Sequence, residues 1–146
     1  MSNKDKKSTF SLDNFLDQTK QLHIVDAMTK EELFKEGFGA YIYPDGIFLK
    51  LKMKTYVKTT CPINASEDII EVVIKYRVSR FGALIEHHSF LAWLDTFEEQ
   101  GLGLEATVDT IYAMIDKVIS PTMLKVVAES HSNYRSSNFA KREKKI

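Results

Sequence analysis

Two long alternating stretches, followed by a change of period, limit most strongly how this chain folds. Ile47, Leu49, Leu51 and Met53 alternate with polar residues, and the pattern runs on to Thr59. Between residues 68 and 78, Ile70, Val72, Ile74, Tyr76 and Val78 again occupy every second position. Successive side chains of a strand point to opposite faces, so each stretch has one apolar side and one polar side. The short segment between them has no room for a crossover helix, which makes the two strands antiparallel neighbours.

The period then becomes helical. Phe90, Trp93, Leu94 and Phe97 form a core stripe and predict a helix over 83–97. Gly101-Leu102-Gly103 breaks it. Leu104, Val108, Ile111, Ile115, Val118 and Ile119 predict a second helix over 104–119, stopped by Pro121. Residues 123–129 read as a strand and 134–139 as a last one. The order is strand-strand-helix-helix-strand-strand. This is an α+β chain with an antiparallel sheet and two helices on one face.

Upstream, Ser11 is placed to cap a short amphipathic helix through Leu12, Phe15 and Leu16. Thr29 and Glu32 form a capping box for another, ended by Gly37. Tyr41-Ile42-Tyr43, the turn signal Pro44-Asp45-Gly46 and Ile47-Phe48-Leu49 read as a hairpin. The expected organisation is a disordered tail over 1–10, one domain over 11–140 with an N-terminal helical extension, and a basic tail over 141–146.

At 146 residues the chain suffices for one core without disulfides. No apolar run reaches the roughly 18 residues of a membrane span. The basic start lacks the apolar stretch of a secretory signal. The single cysteine excludes an internal disulfide and a Cys-rich zinc site, and a reducing, cytoplasmic setting is expected. Net charge is zero but uneven. Residues 1–8 carry +2 and residues 141–146 carry +3, which leaves the body at −5. A body of that sign is a poor nucleic-acid footprint by itself, and the two ends read as solvated.

Few residues offer chemistry. Cys61 precedes Pro62, which pushes it into extended backbone at the end of the first long strand. Asp68 opens the next strand, seven residues on, across a polar loop. Strand ends joined by such a loop bring their side chains near each other. A thiol nucleophile with an acid in reach suits addition to a multiple bond and protonation of its far atom. The plain alternative is a small buried cysteine. Glu86 interrupts an apolar helical stripe, so it must lie at the core rim or be paired. Glu105 falls in the first turn of the second helix, where negative charge suits the dipole, or else serves to accept N–H donors from a guanine-like ring edge. The adjacent His87 and His88 point to different sides of a helix and do not form an i, i+4 metal pair. No metal is expected.

Cys61-Pro62-Ile63, Asp68 seven residues after the cysteine, and Glu86 and Glu105 nineteen apart resemble the active-site pattern of the 7-cyano-7-deazaguanine nitrile reductases (QueF) and their relatives. Thr96-Phe97 and Gly101 also fit. The resemblance spans roughly residues 47–135 and implies the tunnelling fold (T-fold), an antiparallel sheet with two helices between its second and third strands. The reductases follow the first glutamate with two lysines tied to NADPH. Here those places are His88 and Leu91, and Leu104 replaces a histidine before the second glutamate.

That pattern is similar to the shorter QueF-like archaeosine synthases, which attack the same nitrile with cysteine but deliver ammonia. The resemblance implies Cys61 and Asp68 as catalytic residues and Glu105 as the grip on the pyrimidine edge. Glu86, His87 and His88 would line the substrate site. No cofactor is implied, with ammonia as co-substrate. The implied partners are 7-cyano-7-deazaguanine, free or within tRNA or DNA, and further copies of the chain, with sites between subunits.

Three other readings are consistent with parts of the pattern. The first is an NADPH-dependent reductase making the aminomethyl base. The second is a GTP cyclohydrolase I-like enzyme, suggested by Glu86-His87-His88, although Ile85 stands where its zinc cysteine would be. The third is a non-catalytic purine- or pterin-binding T-fold protein.

Overall fold

The computed structural model describes residues 29–42, 49–61, 63, 66–133 and 136–145. The expected tail over 1–10, the helix begun at Ser11 and the turn at Pro44-Asp45-Gly46 lie outside the described residues. The elements are α1 (Lys30–Glu36), β1 (Ala40–Ile42), β2 (Leu49–Thr60), β3 (Glu67–Val78), β4 (Ala83–Ile85), α2 (His87–Asp95), a 3-10 turn (Thr96–Glu99), α3 (Leu104–Ile119), β5 (Met123–Asn133) and β6 (Ser136–Lys145).

The alternation read from sequence sets the sheet. β2 and β3 pair antiparallel from Leu49↔Val78 to Thr60↔Glu67 without a register shift. β3 then pairs with β5 and β5 with β6, giving the antiparallel order β2-β3-β5-β6. Odd positions of β2 and even positions of β3 and β5 face the helices. Val57, Ile70, Val72, Ile74, Leu124, Val126 and Ala128 are buried there against Phe90, Trp93, Phe97, Ile111 and Ile115. Phe38 meets Phe90 edge-on, and Trp93 meets Phe97 edge-on, with ring centroids 4.8 Å apart in each pair. The Trp93 indole keeps its polar atom satisfied by donating to the Phe34 carbonyl at 3.0 Å.

α1 begins as its capping signal requires. The Thr29 hydroxyl accepts from Glu32 N at 3.1 Å and donates to Glu32 Oε1 at 3.0 Å. It ends at Gly37, whose φ of +90° is open to glycine. α3 spans the residues the apolar stripe marks. Its buried side includes Thr107 and Tyr112, while Leu104 and Val118 are only half-buried.

Three sequence expectations are corrected. β1 does not pair with β2 as a hairpin. It pairs with β4, Ala40 opposite Ile85, in a separate two-stranded sheet. The expected helix over 83–97 is divided into β4, α2 and the 3-10 turn, because Ala83-Leu84-Ile85 is recruited by β1. The basic stretch 141–145 is strand, not a solvated tail. Arg142 lies 4.1 Å over the Tyr112 ring and pairs with Asp109 at 3.3 Å, and Lys144 bonds Asp116.

Candidate active site

β2, β3 and β5 end together at one corner of the sheet, and the chemistry-bearing residues follow from the alternation. Thr59, at the last inward position of β2, is buried and pairs with Asp68 of β3. The pairing continues one step past the strand, where the Cys61 N–H donates to the Ser66 carbonyl at 2.8 Å. Cys61 has the same parity as Thr59, so it stands on the helix-facing side of the sheet with Asp68. It is half-buried and free.

Asp68 is held from the next strand over. Ser130 of β5 donates its hydroxyl to Asp68 Oδ2 at 2.6 Å, a short charge-assisted bond. One carboxylate oxygen is therefore engaged in orienting the group. Ser130 is buried and continues the inward row Leu124, Val126 and Ala128. The sequence reading missed Ser130. Its available signal was a polar residue at an inward position of an otherwise apolar strand face, and Thr59 on β2 gives the same signal.

The helical layer is fastened to this corner. Thr60 donates its hydroxyl to the Glu98 carbonyl of the 3-10 turn at 2.6 Å. Gly101, at φ +62°, sits so close to β2 that a Cβ there would lie 4.0 Å from the Thr60 carbonyl. The Gly101–Gly103 loop thus passes beside the residue before Cys61 and leads directly into α3. Glu105 lies in the first turn of α3. It is exposed and has no hydrogen bond or ion pair among the described residues.

Glu86 has a different task. It is 5% exposed and caps α2, with Oε1 accepting from His88 N at 3.0 Å and Oε2 from Ser89 N at 2.7 Å. A buried carboxylate on an apolar stripe is explained by these two amides, which have no helical acceptor of their own. His87 and His88 are both exposed on the first turn of α2, with ring centroids 6.0 Å apart. The structure thus brings Cys61, Asp68 and Ser130 to one sheet corner, puts the Glu105 loop beside its β2 side, and commits Glu86 to a helix cap.

A cleft of about 560 Å³ borders the same end of β2, lined by Lys30, Tyr56, Val57, Lys58, Ile69, Asp95 and Glu98. Cys61 and Asp68 do not line it, so this cleft neighbours the cysteine corner and is not the same space. Among the described residues no three His, Cys, Asp or Glu side chains gather as a metal-binding group. None of the described helices is long and apolar enough to cross a membrane.

This arrangement, an antiparallel sheet with the helical pair inserted between β3 and β5, is the α+β tunnelling fold. Among solved structures, the apo form of the archaeosine synthase QueF-Like superposes with a TM-score of 0.59 at 20% identity, covering 64% of this chain and 91% of that one. No family model matches the chain.

Proposed function

We propose that this protein acts on the nitrile of 7-cyano-7-deazaguanine, using Cys61 as nucleophile and ammonia as the second substrate, and that its product is an amidine. The supporting observation is the corner itself: a free thiol at an open strand end, on the same sheet face as an aspartate that a buried serine orients. The likeness in fold to an archaeosine synthase agrees with that reading.

In the first step the S–H bond adds across the C≡N bond. Asp68 takes the thiol proton as sulfur attacks carbon, then gives it to the nitrogen, leaving a thioimidate. Ammonia next adds to the same carbon, Asp68 accepts its surplus proton, and the C–S bond breaks to restore the thiol. The nitrile and ammonia together become a formamidine, with no net oxidation or reduction. Splitting one slow addition into two lowers each barrier. Ser130 positions Asp68 through its other oxygen.

Glu105 is the carboxylate open to receive paired N–H donors of the heterocycle, since both Glu86 oxygens already accept backbone amides. Fixed alignment of the flat ring over the thiol supplies the proximity that the addition needs. The two long strands at the sheet edges, β2 and β6, support assembly of several copies with sites between subunits, which light scattering on purified protein will measure.

The test is intact-protein mass spectrometry with 7-cyano-7-deazaguanine. The expected result is one adduct on wild type and none on Cys61→Ala. Added ammonium should discharge the adduct as the amidine. Absence of any adduct would sink the proposal, and discharge only by NADPH, with its consumption, would make the protein a reductase instead.

A further inference from the structure

Cys61 is the first residue beyond a strand end. β2 is an edge strand, so within the sheet only β3 steadies it, and the last position of their ladder is Thr60↔Glu67. Strand ends of this kind fray, because few contacts oppose their opening. Cys61 is held toward β3 by the bond from its N–H to the Ser66 carbonyl at 2.8 Å. That N–H belongs to the peptide unit whose carbonyl is the carbonyl of Thr60. What fixes Thr60 therefore also fixes the backbone that presents the thiol.

Thr60 is tied from the other side. Alternation gives it the parity of the outward sheet face, opposite to Thr59 and Cys61. Its hydroxyl nevertheless crosses to the helical layer and donates to the Glu98 carbonyl at 2.6 Å. That acceptor sits on a well-rooted element. Phe97 of the 3-10 turn is fully buried and meets Trp93 at 4.8 Å and Phe34 at 5.5 Å, both edge-on. The Thr96 hydroxyl donates to the Trp93 carbonyl at 2.6 Å, and Lys30 pairs with Glu99 at 3.1 Å. A turn fastened in this way does not follow a fraying strand end; the strand end is fixed to the turn.

Stability alone does not call for this hydroxyl. Valine has the same shape and suits a strand as well as threonine. Glu98 is only half-buried, so water can take its carbonyl, and the net contribution of one such bond to folding is small. Position is a different matter. From Glu98 the chain passes through Gly101, beside the Thr60 carbonyl, into α3 and Glu105. The Thr60–Glu98 bond thus joins the element that carries the thiol to the element that carries the carboxylate open to the heterocycle. We infer that Thr60 is a positioning residue, which through Glu98 sets the Cys61 thiol against a ring held from α3. The inference rests on the proposed reading of Cys61 as the nucleophile toward a nitrile. A misplacement of about 1 Å between reacting atoms costs up to about a hundredfold in rate.

The test follows the rate of adduct formation at Cys61, by intact-protein mass spectrometry, over a range of 7-cyano-7-deazaguanine concentrations. Thr60→Val removes the hydroxyl and keeps the shape. Its rate at saturating nitrile should fall about tenfold, while the half-saturating concentration stays at the wild-type value, because the ring is still held from α3. Thr60→Ser restores a hydroxyl and should recover most of the rate. Glu105→Ala should do the converse and raise the half-saturating concentration. Iodoacetamide attacks a thiol on collision and needs no held ring, so it should alkylate Cys61 equally fast in wild type and Thr60→Val. Thr60→Val should melt within about 5 °C of wild type.

The inference is overturned by an unchanged saturating rate in Thr60→Val, by an equal loss of that variant's reactivity toward iodoacetamide, or by no recovery in Thr60→Ser. A much lower melting temperature in Thr60→Val overturns it too, since the bond would then be a support of the fold. So does an unchanged half-saturating concentration in Glu105→Ala, since the ring would not be held from α3. A wild-type protein that iodoacetamide labels at Cys61 but the nitrile does not fails the proposed function, and the inference with it. A wild-type adduct beside any of the earlier results fails the positioning role alone, so the two failures are told apart.

Discussion

Replacing Glu86 by alanine separates a structural carboxylate from a ligand-binding one. The Glu86 side chain accepts His88 N at 3.0 Å and Ser89 N at 2.7 Å. His88 is exposed, so water can take its amide. Ser89 is fully buried, so its amide would be left without an acceptor. Loss of an N-cap costs about 1 kcal/mol, and a stranded buried donor about 1–3 kcal/mol. Relief of carboxylate burial offsets part of this. The net loss is about 2–3 kcal/mol, or roughly 5–10 °C in melting temperature for a chain of this size. Glu86→Gln keeps one acceptor and should lose about half as much. Glu105→Ala, on an exposed first turn, should stay within about 0.5 kcal/mol of wild type. Thermal and urea unfolding, followed by circular dichroism, measure all three. A Glu86→Ala variant melting within about 1 °C of wild type, or a Glu105→Ala variant equally destabilised, would refute the division of roles between the two glutamates.

Three further outcomes follow from the same geometry. Gly37→Ala should lose about 2 kcal/mol in urea unfolding, because an L residue is strained at φ +90° and the new Cβ would fall 2.5 Å from Met114 Sδ. Burial raises the Tyr76 pKa above its ordinary 10.0, opposed by the Ile85 N–H that its oxygen accepts and reinforced by the neighbouring Tyr41. Since only the neutral phenol is favoured in the fold, its contribution is complete below pH 10.0 and is lost as pH rises through the folded value. Unfolding free energy should fall above pH 10, and this fall should be reduced in Tyr76→Phe. Ser130→Ala should slow adduct formation at Cys61 while costing only about 1 kcal/mol of stability, and a wild-type rate would remove Ser130 from the site.

The parts legible in sequence are those fixed by side-chain period. The alternation of Leu49 through Thr59 and of Ile70 through Val78 predicts two one-sided strands, and they pair over their full length. The stripe from Leu104 to Ile119 marks α3 to the residue. Among the described residues β1 is not a hairpin partner of β2, because a turn signal such as Pro44-Asp45-Gly46 names no partner strand. β1 finds β4 more than forty residues away. Ala83-Leu84-Ile85 is too short an apolar run for period to tell strand from helix. The strand over 141–145 is hidden by its charges, of which Arg142 meets Asp109 and the face of Tyr112, Lys144 meets Asp116 and Lys141 meets Glu143.

The site shows the same division. Sequence alone supplies a cysteine held extended by the proline after it, an aspartate seven residues on, and two glutamates with helical neighbours. Only the tertiary structure recruits Ser130 to Asp68 from sixty-two residues away and assigns Glu86 to the amides of α2. It also sets Lys52, Lys75 and Lys125 from three strands side by side in one row that ends at Glu143. Period is a property of neighbours along the chain, so one chain can be read for it. Which side chains meet across strands depends on register and crossover, and these are set by burial of the whole core at once.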